Sequence, residues 1–326
     1  MPQQDRPSSP PHASVVAPTS TVMSHVPIST TPPSPLIDAD ELAARLDDVV
    51  VIDASWVYPP FNSAGIDVRH SYRQGHIPGS WFLDLASLSR SVSATDPRIP
   101  ALVRPPRALV QALLAGSVPS LKWPIVVTDG DGGCTSAPFA RCLLKDAGYE
   151  NVRLLSGGTP SWSLQHRLAL TYAEPRLLEL GNQPSTAAKA AEPSSWFASF
   201  EQVVQVINGE LDEQLLDARA CAGNRGVLPE AYAAVEIPCP CVARSTEVVE
   251  ETAYGLRFKQ PDELAALFAA RGVDRQRSKI TTCYFGVGAA VVATALDIAH
   301  FGPASVYAGS IVEYAQRNGL CCDSNG

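Results

Sequence analysis

Long apolar runs are what this chain most clearly lacks. No uninterrupted apolar stretch reaches about 18 residues, the length that indicates a membrane-spanning helix. The N-terminus also lacks an apolar signal core behind a basic start. We therefore expect a soluble protein with no membrane partner, located in the cytoplasm. A mitochondrial location stays open, although no clear transit peptide is visible.

Clusters of basic residues are also missing. The chain has 326 residues, with 25 Lys and Arg against 33 Asp and Glu, so its formal net charge is −8. Nucleic acids and anionic surfaces attract patches of Lys and Arg. We therefore expect no nucleic acid among the partners of this protein.

The cysteines follow no pattern that predicts disulfides or a metal site. There are eight in the chain, and without a secretion signal we expect reduced thiols. The close pairs at 239 and 241 and at 321 and 322 lack the spacing and the histidine neighbours of zinc sites. We expect no metal.

Composition divides the chain into two domains and three connecting or terminal segments. Residues 1–35 are rich in Pro, Ser and Thr without periodicity, which predicts a disordered tail. Residues 172–194 have the composition of a linker. We therefore expect one domain over 36–171, a second over 195–318, and a C-terminal tail over 319–326.

Strands alternate with helices in both predicted domains. The strands are expected at 49–53, 125–127, 152–155, 214–217, 280–282 and 304–307, and the helices at 105–114, 137–147, 261–270 and 290–298. This alternation is typical of α/β proteins in which helices cover both faces of a parallel sheet. The two halves repeat one pattern, as an internal duplication would.

One cysteine stands out by its local pattern. Cys283 follows a buried strand and precedes Gly286, Gly288 and a helix. Backbone N–H groups of such a loop point to its centre and, with the helix dipole, stabilise an anion there. A thiolate in this position is a good nucleophile. The alternative is that Cys283 packs as a small apolar core residue, as many buried cysteines do.

Several short motifs in the two halves have counterparts in one known family. They are the Val-Ile-Asp-Ala-Ser-Trp run at 51–56, Gly-His-Ile-Pro-Gly-Ser at 75–80, Phe-Leu-Asp at 82–84, Gly-Gly at 157–158, Leu-Asp-Ala-Arg at 216–219, the Cys283 loop, and Val-Tyr-Ala-Gly-Ser at 306–310. Together they resemble the tandem-rhodanese sulfurtransferases, which include the thiosulfate and 3-mercaptopyruvate enzymes. The resemblance covers nearly all of residues 36–316.

The resemblance implies two tandem rhodanese-like domains and a two-step reaction on Cys283. Its thiolate would take a sulfane sulfur from a mercaptopyruvate- or thiosulfate-like donor, become a persulfide, and pass the sulfur to cyanide or to a thiol such as that of a thioredoxin-like protein. No metal or organic cofactor is required. The active-site loop would consist of Tyr284, Phe285, Gly286, Val287 and Gly288.

The first half resembles the catalytically silent domain of the family, because its matching loop begins at Asp129. Cys134 is displaced from the nucleophile position, and the carboxylates of Asp129 and Asp131 would oppose its ionisation. Asp67 and His76 look like residues that lie at the interdomain face near the active site in the family. A structural capping role is the alternative for His76.

The chain departs from the family where the donor would bind. Thiosulfate enzymes have Arg and Lys where this chain has Tyr284 and Phe285, so thiosulfate is expected to bind poorly. Mercaptopyruvate enzymes have Ser and Thr at the places of Phe285 and Gly288. We expect the two aromatic side chains to shape the pocket, with packing within the loop as the alternative.

The arginines that grip the donor carboxylate in the family fall on Gly223 and Tyr232 when the sequences are aligned without gaps. Arg225 could replace them only if the loop shifts. Arg219 is a second candidate for orienting a donor, although its place beside Asp217 favours a structural ion pair.

Three hypotheses about function follow. We expect an active sulfurtransferase with altered donor specificity, its activity in doubt because the substrate-binding arginines are missing. A catalytically impaired rhodanese-like binding or regulatory module is the alternative. The third hypothesis is a phosphatase or arsenate reductase. It would need an arginine where the chain has Ala289, so we discount it.

Overall fold

The computed structural model describes residues 34–57, 67–85, 88, 104–174, 176–178, 194–219, 235–238 and 241–320. Within these residues no helix has the length and apolar character needed to cross a bilayer. The four cysteines in these ranges, Cys134, Cys142, Cys241 and Cys283, are buried free thiols. Two parallel sheets organise the described part of the chain.

The first sheet has six parallel strands in the order β1-β5-β4-β2-β3-β6. The strands are β1 Leu36–Ile37, β2 Val50–Asp53, β3 Trp81–Leu83, β4 Ile125–Thr128, β5 Val152–Leu155 and β6 Arg176–Leu178. The central strand β4 is buried along its whole length. Its run of Ile, Val, Val and Thr suits a strand that is covered on both faces.

The described residues of the first half form the helices α1 Ala39–Ala43, α2 Val68–Arg73, α3 Arg107–Leu114 and α4 Ala137–Asp146. A short helical segment, Gly158–Pro160, continues as the π-helical turn Ser161–Gln165. Helix α4 has Pro138 in its first turn, where the missing N–H leaves no hydrogen bond unmade.

The second sheet has four parallel strands in the order β12-β11-β7-β8. They are β7 Gln214–Asp217, β8 Cys241–Val242, β11 Lys279–Thr282 and β12 Ala304–Val306. Strands β9 Val249–Thr252 and β10 Gly255–Phe258 form a separate antiparallel hairpin. The helices are α5 Phe200–Ile207, α6 Pro261–Ala270, α7 Val287–Ile298 and α8 Ser310–Arg317.

The two halves pack through α4 and α7 and share one apolar core. The buried Arg141 of α4 donates through Nη2 to Asp297 Oδ2 of α7 at 2.6 Å and through Nε to the Val152 carbonyl at 3.1 Å. Phe139 and Phe197 meet edge to face, with ring centroids 5.7 Å apart. This contact joins α4 to the segment that precedes α5.

The predicted α/β architecture with two helix-flanked parallel sheets is confirmed. The predicted strands and helices are present, with ends that differ by at most three residues. Strand β6 lies inside the segment 172–194, so the predicted linker begins with a strand of the first sheet. The domain boundaries stay a prediction.

Candidate active site

The candidate nucleophile lies at the carboxyl end of an inner strand of the second sheet. Cys283 directly follows β11, and α7 begins after Gly286. Gly286 has φ +98°, a left-handed conformation that favours glycine, and this allows a tight turn from strand to helix. The order of strand, cysteine, glycine and helix is the predicted one.

The sulfur of Cys283 is held close to the backbone at the start of α7. The residue is 4% exposed, and the Gly286 N–H donates to its Sγ with an N···S distance of 3.1 Å. Positive partial charge concentrates at the N-terminus of a helix, and α7 has 12 residues. The position therefore stabilises a negatively charged sulfur.

Ser310 is the second polar partner of the cysteine. The Cys283 N–H donates to Ser310 Oγ at 3.1 Å, and this hydroxyl lies 3.9 Å from Cys283 Sγ. The hydroxyl donates to the Tyr307 carbonyl at 2.7 Å. Ser310 is fully buried and has φ +49°, which is uncommon for a residue with a side chain. These hydrogen bonds explain why a serine is held in that conformation.

A cavity of about 340 Å³ opens beside the thiol, between the two halves of the chain. The first half contributes Trp56, Val57, Asp131, Cys134 and Thr135. The second half contributes Cys283, Tyr284, Phe285, Val287, Gly288, Val291, Ala218, Arg219, Ser245, Thr246, Val249 and Leu256. Most of the lining is apolar. Four of the five predicted loop residues line the cavity, and Gly286 contributes its amide to the sulfur instead.

The glycine at 288 leaves room next to the sulfur. A Cβ atom at this position would lie 3.3 Å from Ser245 Oγ and 3.5 Å from Cys283 Cβ. A threonine at this place, as in mercaptopyruvate enzymes, would fill part of this space. A side chain at residue 288 would therefore crowd Ser245 and Cys283.

Arg219 is one of two charged residues among the described residues that line the cavity, and it is engaged by Asp217. Its Nε lies 3.1 and 2.8 Å from the two carboxylate oxygens of Asp217, and its Nη1 donates to the Val235 carbonyl at 2.7 Å. The guanidinium also lies over the Tyr284 ring, 5.7 Å from its centroid. The expected ion pair is present, so the positive charge of Arg219 is balanced within the protein.

The matching loop of the first half is closed around its own carboxylate. Asp129 follows β4 and is buried. Its two oxygens accept five backbone N–H hydrogen bonds of 2.7 to 3.2 Å, from Asp131, Gly133, Thr135, Ser136 and Ala137. The anion that this loop stabilises is therefore part of the chain. In the second half the corresponding place is taken by Cys283.

Cys134 also lines the cavity, but its surroundings keep the thiol protonated. Burial, and then the negative charges of Asp129 and Asp131, raise the pKa of the Cys134 thiol well above its usual range. The expected effect of the two carboxylates is present, with burial as the larger cause. Cys134 is therefore a poor nucleophile.

Two of the predicted residues do not come to the cavity. Asp67 caps α2, where its Oδ1 accepts from the His70 N–H at 3.0 Å. His76 is buried, with its ring stacked on Tyr72 at 4.2 Å between centroids and its Nδ1 2.9 Å from the Tyr72 carbonyl. Neither is among the described residues that line the cavity. Arg225, the remaining candidate, lies outside the residues that the structure describes.

Sequence reasoning missed Ser310, Ser245 and Trp56 as parts of the site. A signal for Ser310 exists, because β11 and β12 are parallel neighbours and their carboxyl ends meet at one sheet edge. The loops that follow the two strands must therefore adjoin. Ser245 and Trp56 come from more distant parts of the chain, and only the packing of the halves brings them to Cys283.

The chain is similar to known sulfurtransferases in both sequence and fold. A model of the rhodanese-like domain matches residues 38–165. The 3-mercaptopyruvate sulfurtransferase of Escherichia coli K12 is 31% identical over 299 residues, which cover 87% of this chain and 96% of the relative. The thiosulfate sulfurtransferase of Bos taurus is 28% identical over 277 residues, covering 82% of this chain and 85% of the relative.

Solved structures show the same similarity. The crystal structure of SseA from Escherichia coli, a 3-mercaptopyruvate sulfotransferase with the rhodanese fold, superposes with a TM-score of 0.66 at 29% identity. The match covers 85% of this chain and 99% of SseA. It therefore extends over both sheets.

Proposed function

The chain belongs to the tandem rhodanese-like sulfurtransferase family, and from this premise we propose that Cys283 carries sulfane sulfur from a small donor to a thiol or cyanide. Family membership supports rhodanese-type sulfur transfer as the general function. The nucleophile, the donor and the acceptor are the proposed parts.

The observation that supports the proposal most directly is the 3.1 Å contact between the Gly286 N–H and the buried Cys283 sulfur. This contact lies at a helix N-terminus and at the wall of a cavity. A thiolate and a persulfide anion would be stabilised by the same amide and the same dipole. The site can therefore hold the sulfur before and after it is loaded.

In the first step the Cys283 thiolate attacks the sulfur of the donor. A sulfur–sulfur bond forms at Sγ, the bond between the donor sulfur and the rest of the donor breaks, and its electron pair leaves with that remainder. The products are a Cys283 persulfide and the desulfurated donor. No electrons are gained or lost overall, so no redox partner is needed.

In the second step an acceptor attacks the outer sulfur of the persulfide. Cyanide leaves as thiocyanate, or a thiol leaves as a persulfide, and Cys283 returns to the thiol form. A protein thiol of the thioredoxin type is one such acceptor.

The alternative of a catalytically impaired binding or regulatory module is supported by one observation. Arg219, which could have gripped an anionic donor, is bound to Asp217. Turnover distinguishes the two functions, since a module without catalysis would release no thiocyanate.

The experiment is a thiocyanate assay with cyanide as acceptor and a panel of donors that includes mercaptopyruvate and thiosulfate. We expect turnover with at least one donor in the wild type and in Cys142→Ser, and none in Cys283→Ser. Cys142 is a matched control because it is buried in α4 and is not among the described residues that line the cavity. Equal turnover in Cys283→Ser and wild type would contradict the proposal.

A further inference from the structure

The charge of the cavity beside Cys283 limits which donors can enter it. Among the described residues that line it, only Asp131 and Arg219 have charged side chains. Arg219 is paired with Asp217, and the two side chains are only 16% and 12% exposed. Asp131 is exposed to solvent at the edge of the described structure's cavity lining, and its carboxylate gives this part of the cavity an excess of negative charge.

The remaining walls have no further charged side chain among the described residues, and their polar side chains include the hydroxyls of Thr135, Ser245 and Thr246. Trp56 and Val57 face the cavity from the first half, and Val249 and Leu256 of the hairpin face it from the second. An anionic donor would leave water for apolar walls, approach Asp131, and find the guanidinium already bound to a carboxylate. An uncharged donor with an apolar substituent would gain from the same walls, since burying apolar surface is favourable.

The fold of the loop that follows β4 places Asp131 at the cavity. Its backbone N–H donates to Asp129 Oδ1 at 2.9 Å, which holds residue 131 at the cavity wall. Asp129 itself is enclosed by five amides. Asp131 is therefore the carboxylate of this loop that a substrate meets.

We propose that this cavity selects an uncharged sulfur donor with an apolar substituent over anionic donors, and that Asp131 is a specificity-determining residue. This inference rests on the proposed sulfur transfer at Cys283. It assigns a substrate class that differs from thiosulfate and mercaptopyruvate, both of which are anions.

Three α-mercaptoketones that differ in one substituent test the proposal. They are mercaptopyruvate, with a carboxylate, mercaptoacetone, with a methyl group, and 2-mercaptoacetophenone, with a phenyl group. With each, the Cys283 thiolate would form a sulfur–sulfur bond, the donor carbon–sulfur bond would break, and its electron pair would remain on carbon as an enolate that takes a proton to give the ketone. The bonds that form and break are thus the same, while charge, apolar area and enolate stability differ. Comparing each donor between wild type and Asp131→Asn cancels the difference in enolate stability.

The measurement is kcat/KM for each donor, from thiocyanate release, in wild type, Asp131→Asn and Asp47→Asn. We expect both uncharged ketones to exceed mercaptopyruvate in the wild type, by at least about tenfold for the phenyl ketone because it combines apolar burial with the absence of charge repulsion. In Asp131→Asn the ratio of kcat/KM for the methyl ketone to kcat/KM for mercaptopyruvate should fall at least about threefold, because the repulsion of the anionic donor is lost. Asp47→Asn, at an exposed position, should leave the ratio unchanged.

Salt provides a readout that a structural role of Asp131 would not change. Raising the ionic strength screens like-charge repulsion, so kcat/KM for mercaptopyruvate should rise in the wild type, less so in Asp131→Asn, and stay constant for the ketones. Faster transfer from mercaptopyruvate than from both ketones, or a ratio insensitive to Asp131→Asn, would overturn the inference while leaving sulfur transfer intact. No transfer from any donor by the folded protein would contradict sulfur transfer itself.

Discussion

Two aspartates at corresponding places in the halves differ in their partners, and this difference has a measurable effect on stability. Asp53 ends β2 as Asp217 ends β7. Asp217 is paired with Arg219, but the residue two places after Asp53 is Ser55, whose N–H donates to Asp53 Oδ1 at 2.9 Å. Burial, with a smaller contribution from the charge of Asp129, raises the pKa of Asp53 from 3.8 to about 6, although the hydrogen bonds from Ser55 oppose this.

The size and sign of the effect follow from this pKa. A rise from 3.8 to about 6 corresponds to roughly 3 kcal/mol, at about 1.4 kcal/mol per pH unit. The folded state binds the proton more tightly than the unfolded state does, so stability from this group is complete below pH 3.8 and is lost as the pH rises to about 6. Above that pH the ionised Asp53 destabilises the fold by the full amount.

Asp53→Asn removes the charge and keeps an oxygen that can accept from Ser55. We expect the free energy of unfolding, from urea titrations followed by tryptophan fluorescence, to increase by roughly 3 kcal/mol at pH 7.5 and by about half as much at pH 5. The matched control, Asp217→Asn, should have the opposite sign, with a loss of roughly 3 kcal/mol, because it leaves the guanidinium of Arg219 without its carboxylate. An Asp53→Asn variant that is less stable than wild type at pH 7.5, or whose gain is the same at both pH values, would refute the reasoning.

Three further substitutions test the loops. Ser310→Ala removes the acceptor of the Cys283 N–H and should lower the free energy of unfolding by about 1–2 kcal/mol in urea titrations; no loss would contradict the role of this hydroxyl. Gly288→Ala places a methyl group beside the sulfur and should slow persulfide formation roughly tenfold in single-turnover mass spectrometry, since about 1.4 kcal/mol of misfit has this effect. An unchanged rate would show that substrates approach from elsewhere. Asp129→Ala leaves five amides without their acceptor and should lower the free energy of unfolding by at least about 3 kcal/mol, more than Asp129→Asn does; calorimetry on the two variants decides this.

Much of the fold could be predicted because its strands are buried and local in sequence. Strands β5 and β7 and helix α6 have the predicted bounds, since the Leu-Leu pair in each buried strand and the proline at the start of the helix leave clear signals. The hairpin β9 and β10 was not predicted. Its sequence shows little alternation of apolar and polar residues and includes several charged ones. The hairpin also packs closely on the first half, since a Cβ atom on Gly132 would collide with the Leu256 carbonyl.

For the site as well, the parts set by neighbouring residues could be predicted and the parts set by long-range packing could not. The Cys283 loop could be predicted, because a strand, a cysteine, a glycine and a helix follow one another in sequence. The lining by Trp56 and Leu256 could not, since it depends on how the halves pack. Asp67 and His76 have residue types that suit catalysis, but Asp67 caps a helix and His76 packs on Tyr72. Residue type alone does not separate such roles.

The central claim is that sulfur is carried on Cys283, and intact-mass analysis tests it most directly. Wild type and Cys283→Ser would each be incubated with mercaptopyruvate, thiosulfate and 2-mercaptoacetophenone, and cyanide would then be added. We predict an adduct of about 32 Da, the mass of one sulfur atom, in wild type alone, as expected for covalent transfer. Cyanide should then remove this sulfur as thiocyanate. A folded wild type that forms no adduct with any donor, or an adduct that persists in Cys283→Ser, would contradict the claim.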